Sequence, residues 1–220
     1  PFGGSSSSTL AAYGIYFNGV DPLASNENIV SNNLIYNFTG TGEVIGLYNT
    51  SSDNVWYFHN TVSIDGTGGT AISRGFYQNT LAAGVVLLNN IFSITRGGSG
   101  AKYGLYFNTV ASDISSNRNV LFINATTGND FTGFFSAAQQ TLLNWQTASG
   151  DDANSLPSNP LFTDVANGNY KPTSASIDNI GMPLGITNDI VNAVRSATTP
   201  DVGAYEFTPG NCAAPPIPGT

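Results

Sequence analysis

The chain has 220 residues, of which only 9 % are charged, and a formal net charge of −8. That acidic balance argues against nucleic acid or an anionic membrane as partner. No apolar run reaches transmembrane length, so no membrane insertion is expected.

Residues 1–12 read as a lead-in or N-terminal cap, opening Pro1-Phe2-Gly3-Gly4 without a Met, as a mature or excised piece would. The next segment repeats. Tyr13-Gly14-Ile15-Tyr16-Phe17, Ile45-Gly46-Leu47-Tyr48, Arg74-Gly75-Phe76-Tyr77, Tyr103-Gly104-Leu105-Tyr106-Phe107 and Thr132-Gly133-Phe134-Phe135 place glycines at intervals of 32, 29, 29 and 29 residues. Asn33, Asn60, Asn90 and Asn119, leading into Leu34-Ile35, Thr61-Val62, Ile91-Phe92 and Val120-Leu121, step by 27, 30 and 29. Two columns with one period mean stacked units that bury apolar surface only against their neighbours. The units are strands. Val55-Trp56-Tyr57-Phe58, Val85-Val86-Leu87-Leu88 and Ile91-Phe92-Ser93-Ile94 are short, β-branched and aromatic, and Gly, Ser, Thr and Asn clusters separate them.

The expected fold class is therefore all-β: a parallel β-helix, or solenoid, of about five coils over residues 13–135. Parallel crossovers make it right-handed. Propeller blades have longer repeats and are the runner-up. The Asn column is expected to occupy tight left-handed bends and to stack as an amide ladder. Strand alternation predicts Tyr13, Ile15, Phe17 and their equivalents inward. One buried column is then Ile15, Leu47, Phe76, Leu105 and Phe134, and another is Val62, Ile64, Phe92, Ile94, Leu121 and Ile123. The glycines, with Tyr16, Tyr48, Tyr77, Tyr106 and Phe135, would form an outward aromatic strip beside a glycine trough.

A short capping helix is expected over 137–146, with Ala138, Leu142 and Trp145 on one face. An irregular closing segment follows over 151–208, completing a domain of 13–208. Residues 209–220 read as a Pro-rich linker to a further domain. The single cysteine, Cys212, has no partner within the chain.

Asn159-Pro160-Leu161-Phe162, Gly168-Asn169-Tyr170-Lys171-Pro172, Ser176-Ile177-Asp178-Asn179-Ile180-Gly181 and Pro200-Asp201-Val202-Gly203-Ala204-Tyr205-Glu206-Phe207 follow one another in the closing segment. With the coil repeat, this order resembles secreted bacterial right-handed β-helix proteins of the pectate-lyase-like superfold, including modules of Bacteroidetes-type surface proteins. The resemblance implies export and an extracellular or cell-surface location. It does not imply an enzyme, because this scaffold carries lyases, hydrolases, adhesins and spacers alike.

Two classes of function fit. The first is a non-catalytic module acting as stalk, adhesin or binding surface. The strip of Tyr16, Tyr48, Tyr77, Tyr106 and Phe135 would take a polysaccharide, a cell-surface glycan or another protein. The alternative is a polysaccharide lyase or glycoside hydrolase. A hydrolase needs paired carboxylates and a lyase needs a base with a cation. Asp21 and Asp53, each seven residues after a repeat glycine, and Asp113 nearby are the catalytic candidates for that reading. Self-association into filaments is a weaker third. His59, the only histidine, precedes Asn60 where other coils have Asn32, Asn89 and Arg118, and is expected in a solvent-facing turn. No metal or cofactor is required. Asp178, Asp189, Asp201 and Glu206 offer oxygen donors for Ca²⁺, but an Arg195–carboxylate pair tying down irregular backbone is the expected use.

Overall fold

The computed structural model describes residues 8–125 and 129–210. Residues 1–7, 126–128 and 211–220, and with them Cys212 and most of the expected linker, lie outside the described residues. The first coil supplies β1 (Ala12–Asn18), β2 (Asn28–Ser31) and β3 (Leu34–Ile35). The second supplies β4 (Val44–Thr50), β5 (Val55–Phe58) and β6 (Thr61–Ile64), and the third β7 (Ser73–Gln78), β8 (Val85–Leu88) and β9 (Ile91–Ile94). The fourth supplies β10 (Lys102–Phe107), β11 (Ile114–Asn117) and β12 (Val120–Ile123). β13 (Asp130–Phe135) and β14 (Ala137–Gln139) follow. Strands of the same rank pair in parallel, giving three sheets ordered β1-β4-β7-β10-β13, β2-β5-β8-β11 and β3-β6-β9-β12. The protein is a parallel β-solenoid of about four turns.

The core runs up the centre of the stack. Leu47, Phe76 and Leu105 from the first sheet, Tyr57 and Leu87 from the second, and Val62, Ile64, Phe92 and Ile94 from the third are all fully buried in one cluster. Both predicted columns are present except at Phe134. The registers pair Leu105 with Gly133 and Tyr106 with Phe134, so the last coil is one residue out of step with the glycine alignment. Trp145 is the reason. A Cβ on Gly133 would stand 2.3 Å from its ring, so that glycine makes room for the indole.

The other repeat glycines also face inward, not outward. A Cβ on Gly14 would meet Ile35 at 2.5 Å, on Gly46 Val62 at 2.3 Å, on Gly75 Phe92 at 2.8 Å and on Gly104 Ile123 at 2.9 Å. Only residues without side chains let the third sheet approach the first this closely. Each strand thus turns two successive residues inward, such as Gly46 and Leu47. Tyr13, Arg74 and Tyr103 are displaced to the outer face beside the Tyr16 file, contrary to simple alternation.

The amide ladder is present. Asn33 Nδ2 donates to Asn60 Oδ1 at 2.9 Å, Asn60 to Asn90 at 3.0 Å and Asn90 to Asn119 at 3.0 Å. The left-handed bend, however, belongs to the preceding residues: Asn32, His59, Asn89 and Arg118 have φ of 57°, 54°, 59° and 53°. The ladder residues themselves turn their amides into the interior.

The expected helix over 137–146 resolves into two elements. Ala137–Gln139 is β14, antiparallel to β13, and α1 spans Leu142–Ser149. Ser136, at φ 61°, turns the chain between the strands. Thr141 caps α1 by accepting from Asn144 N, and Gly150 ends it at φ 79°. Trp145 is fully buried on the end of the core, 5.0 Å from Phe107 ring to ring. Leu156 bridges to Val120 as a partial next rung of the third sheet. The closing segment then returns along the outside of the coils. Val202, Phe207 and Ile177 form a second apolar cluster with Ile91 and Val120. Gly203, at φ 80°, lies where a Cβ would be 2.5 Å from Ile91.

Candidate functional site

The outer face of the first sheet carries a continuous aromatic file. Its rings are Tyr16, Tyr48, Tyr77, Tyr106 and Phe134; Phe135 instead packs against the core and Trp145. Tyr16 and Tyr48 stack at 4.6 Å and 20°, Tyr48 and Tyr77 at 5.0 Å and 11°, and Tyr106 and Phe134 at 4.3 Å and 5°. Parallel strands one rung apart impose this spacing. The regular stack breaks once, between Tyr77 and Tyr106, whose rings are perpendicular at 5.2 Å. The Arg74 guanidinium sits there, 4.3 Å from one ring centre and 4.6 Å from the other. Its charge favours both π faces, and Glu43 pairs with it from the preceding coil.

The rings therefore spend their faces on one another. Outward they present edges and hydroxyls. Tyr77 donates to Asn79 Oδ1 at 2.7 Å, whereas the hydroxyls of Tyr16, Tyr48 and Tyr106 bond to no described residue. Tyr16 at the N-terminal end is 46 % exposed, and the later rings are half-buried. Burial raises the Tyr77 and Tyr103 hydroxyls above their ordinary pKa, against the opposing pull of Arg74. Tyr77 and Tyr103 are therefore protonated donors at neutral pH. The file was legible in the repeat. The Arg74–Glu43 pair was not, and its available signal was that Arg74 occupies the position of Tyr13 and Tyr103 in its coil.

The carboxylates of the alternative reading lie at the turn before the second sheet, each holding backbone. Asp21 accepts from Asp53 N at 3.1 Å, Asp53 from Ala83 N at 2.7 Å and Asp113 from Gly84 N at 3.4 Å. Asp53 and Asp113 line one shallow recess with Leu81, Ala82, Ala83 and Ala111. The third coil contributes alanines there, so the acids do not form a continuous line.

His59 corrects the sequence expectation most sharply. It is fully buried, not solvent-facing. Its Nδ1 lies 3.0 Å from the Asp201 carbonyl and its Nε2 3.1 Å from Asn89 Nδ2. The donor amide opposite Nε2 makes that nitrogen the acceptor, so Nδ1 carries the proton and the ring is neutral. Burial, and then the Arg195 charge, depress its pKa to about 3. Arg195 is the knot of the closing segment. It donates to Asn32 Oδ1 and to the Gly203 and Asp201 carbonyls, and pairs with Glu206 at 3.4 Å. Asp189 and Asp201 each take two or more backbone N–H donors. Among the described residues no three His, Cys, Asp or Glu side chains converge as metal ligands.

Arg96 is likewise an interior strut, donating to the Gly40 and Gly42 carbonyls and to Ser73 Oγ. No helix among the described residues is long and apolar enough to cross a membrane. No family model, curated protein or solved structure matches this chain.

Proposed function

We propose that the chain is a non-catalytic β-solenoid module of a secreted or cell-surface bacterial protein, whose outward aromatic file receives a partner. The observation that carries this reading is the continuity of the file. Five rings on five successive rungs give one axial ridge with three hydroxyls unspent. Spare hydrogen-bonding groups on a rigid, regularly spaced surface are what a binding face requires and a purely structural stack does not. The resemblance of the closing segment to exported β-helix proteins supports the surface location.

The test is a binding and turnover screen of the isolated chain against glycans, with Tyr48→Ala/Tyr77→Ala as the control. Binding that this variant loses, with no turnover by the wild type, is the expected result. Turnover that Asp21→Asn or Asp53→Asn abolishes would overturn it in favour of the hydrolase or lyase.

A further inference from the structure

The rings of the file are turned edge-on, and the charges beside them are unequally exposed. Arg74 has a side chain only 10 % exposed, and it is neutralised by Glu43 and covered by two rings. Glu43 is 32 % exposed. Both charges act on the Tyr13 and Tyr77 hydroxyls. Lys102, on the neighbouring rung, is almost fully buried. A partner approaching the ridge thus meets phenolic hydroxyls and the outer oxygen of a carboxylate, on a chain whose net charge is −8. Among the described residues the cations beside the ridge, Arg74 and Lys102, are both buried.

From this we propose that the ridge selects an uncharged, hydroxyl-rich linear polymer, a neutral polysaccharide laid along the solenoid axis, and rejects polyanions. The inference rests on the binding reading above and adds the class of partner. Two further features favour it. The ring centres advance by 4.3–5.2 Å per rung, so groups repeating at a similar interval along an extended chain meet one hydroxyl after another in register. In addition, phenol and carboxylate together both donate to and accept from neutral hydroxyls, whereas a carboxylate or sulfate on the ligand would face Glu43 without a counter-charge. Recognition is by hydroxyl and ring edge, not by a sugar lying on a ring face, because the faces are taken.

The experiment is affinity electrophoresis of the 220-residue chain through gels containing a neutral xylan or β-glucan, a polyuronate, or cationic chitosan. The variants are Tyr16→Phe/Tyr48→Phe/Tyr106→Phe and Glu43→Gln. The triple variant keeps every ring and removes only the three hydroxyls, so the stack survives. Retardation by the neutral polymer alone is expected. The triple variant should lose most of it, at about three- to tenfold per hydroxyl. Glu43→Gln, which removes the opposing charge, should newly admit the polyuronate. Equal or stronger retardation by the polyuronate, or by chitosan alone, overturns the selectivity; loss of that binding in Tyr48→Ala/Tyr77→Ala would leave the ridge as the binding surface. Unchanged neutral binding in the triple variant overturns the hydroxyl mechanism. Retardation by none of the polymers overturns the proposal and its underlying reading as applied to glycans.

Discussion

Asn119 Nδ2 donates to Asp152 Oδ1 at 3.1 Å, so the amide ladder ends on a carboxylate. Each Asn in the column donates toward the C-terminal coil, and Asn60, Asn90 and Asn119 accept from the coil before, so the last donor needs an acceptor that offers no competing N–H. Asp152, almost fully buried, meets that need and also receives Trp145 Nε1 at 2.8 Å. Ser155 continues the backbone half of the pattern by accepting from Asn119 N at 2.8 Å.

The ladder should be costly to interrupt in its middle. Asn90→Ala leaves the Asn60 amide without its acceptor and the Tyr57 carbonyl without its donor, both in the dry interior. A loss of about 2–4 kcal/mol is expected in urea unfolding, since unsatisfied buried polar groups carry their full desolvation penalty. Asn33→Ala, at the half-buried end of the column, should cost less than half as much. Equal losses at the two positions would mean that the amide chain contributes nothing beyond each residue's own packing.

Glycine facing makes a second prediction. Gly75→Ala places a methyl 2.8 Å from Phe92 and 2.6 Å from the Gly104 carbonyl, where strands on both sides are fixed. Overpacking of this kind costs roughly 1–3 kcal/mol. Gly19→Ala meets no atom within 4 Å, and only its φ of 63° opposes it, so its cost should be about 1 kcal/mol. A neutral Gly75→Ala would return the glycines to an outward trough.

The period, the parallel pairing, the Asn ladder and most of the core were legible, because each rests on residues recurring once per coil. What was not legible breaks that recurrence. The last coil slips by one residue because Gly133 answers to Trp145, which belongs to no repeat. The glycine pairs defeat period-two alternation, and so Tyr13 and Tyr103 were assigned to the wrong face. His59 looked like a surface turn because the coils alone leave it at the surface; the closing segment that covers it has no period to align. A signal did exist in the column of Asn32, His59, Asn89 and Arg118. All four of these side chains bond to the closing segment's backbone carbonyls, and Arg195 anchors to the amide oxygen of Asn32.

The inner and outer rings of the first sheet give a direct contrast in packing. Phe76 is fully buried between Tyr57 at 5.3 Å and Phe107 at 6.0 Å. Phe76→Ala should cost about 3–5 kcal/mol in chemical denaturation. Phe134→Ala removes a half-buried outer ring whose main contact is the stack on Tyr106, and about 1–2 kcal/mol is expected there. A larger loss at Phe134 than at Phe76 would reverse the facing of the final strand.

His59 and Asp201 make opposite demands on pH, and one substitution separates them. Burial depresses the imidazole to about 3, so its stabilising contribution is full above the unfolded value near 6.5 and is lost as pH falls from there. Burial raises the Asp201 carboxyl to about 6, against its two backbone donors, so folding gains through that group as pH falls below about 6. In the wild type the two slopes largely cancel between about pH 6 and pH 4. Asn already occupies the same left-handed bend at positions 32 and 89, so His59→Asn keeps the backbone and removes only the titrating ring. Compared with this variant, the wild type should lose about 1.4 kcal/mol of stability per pH unit below pH 6.5, read from urea midpoints at pH 7, 6, 5 and 4. A difference that stays constant with pH would show that the imidazole titrates alike folded and unfolded, and is not sealed beneath the closing segment.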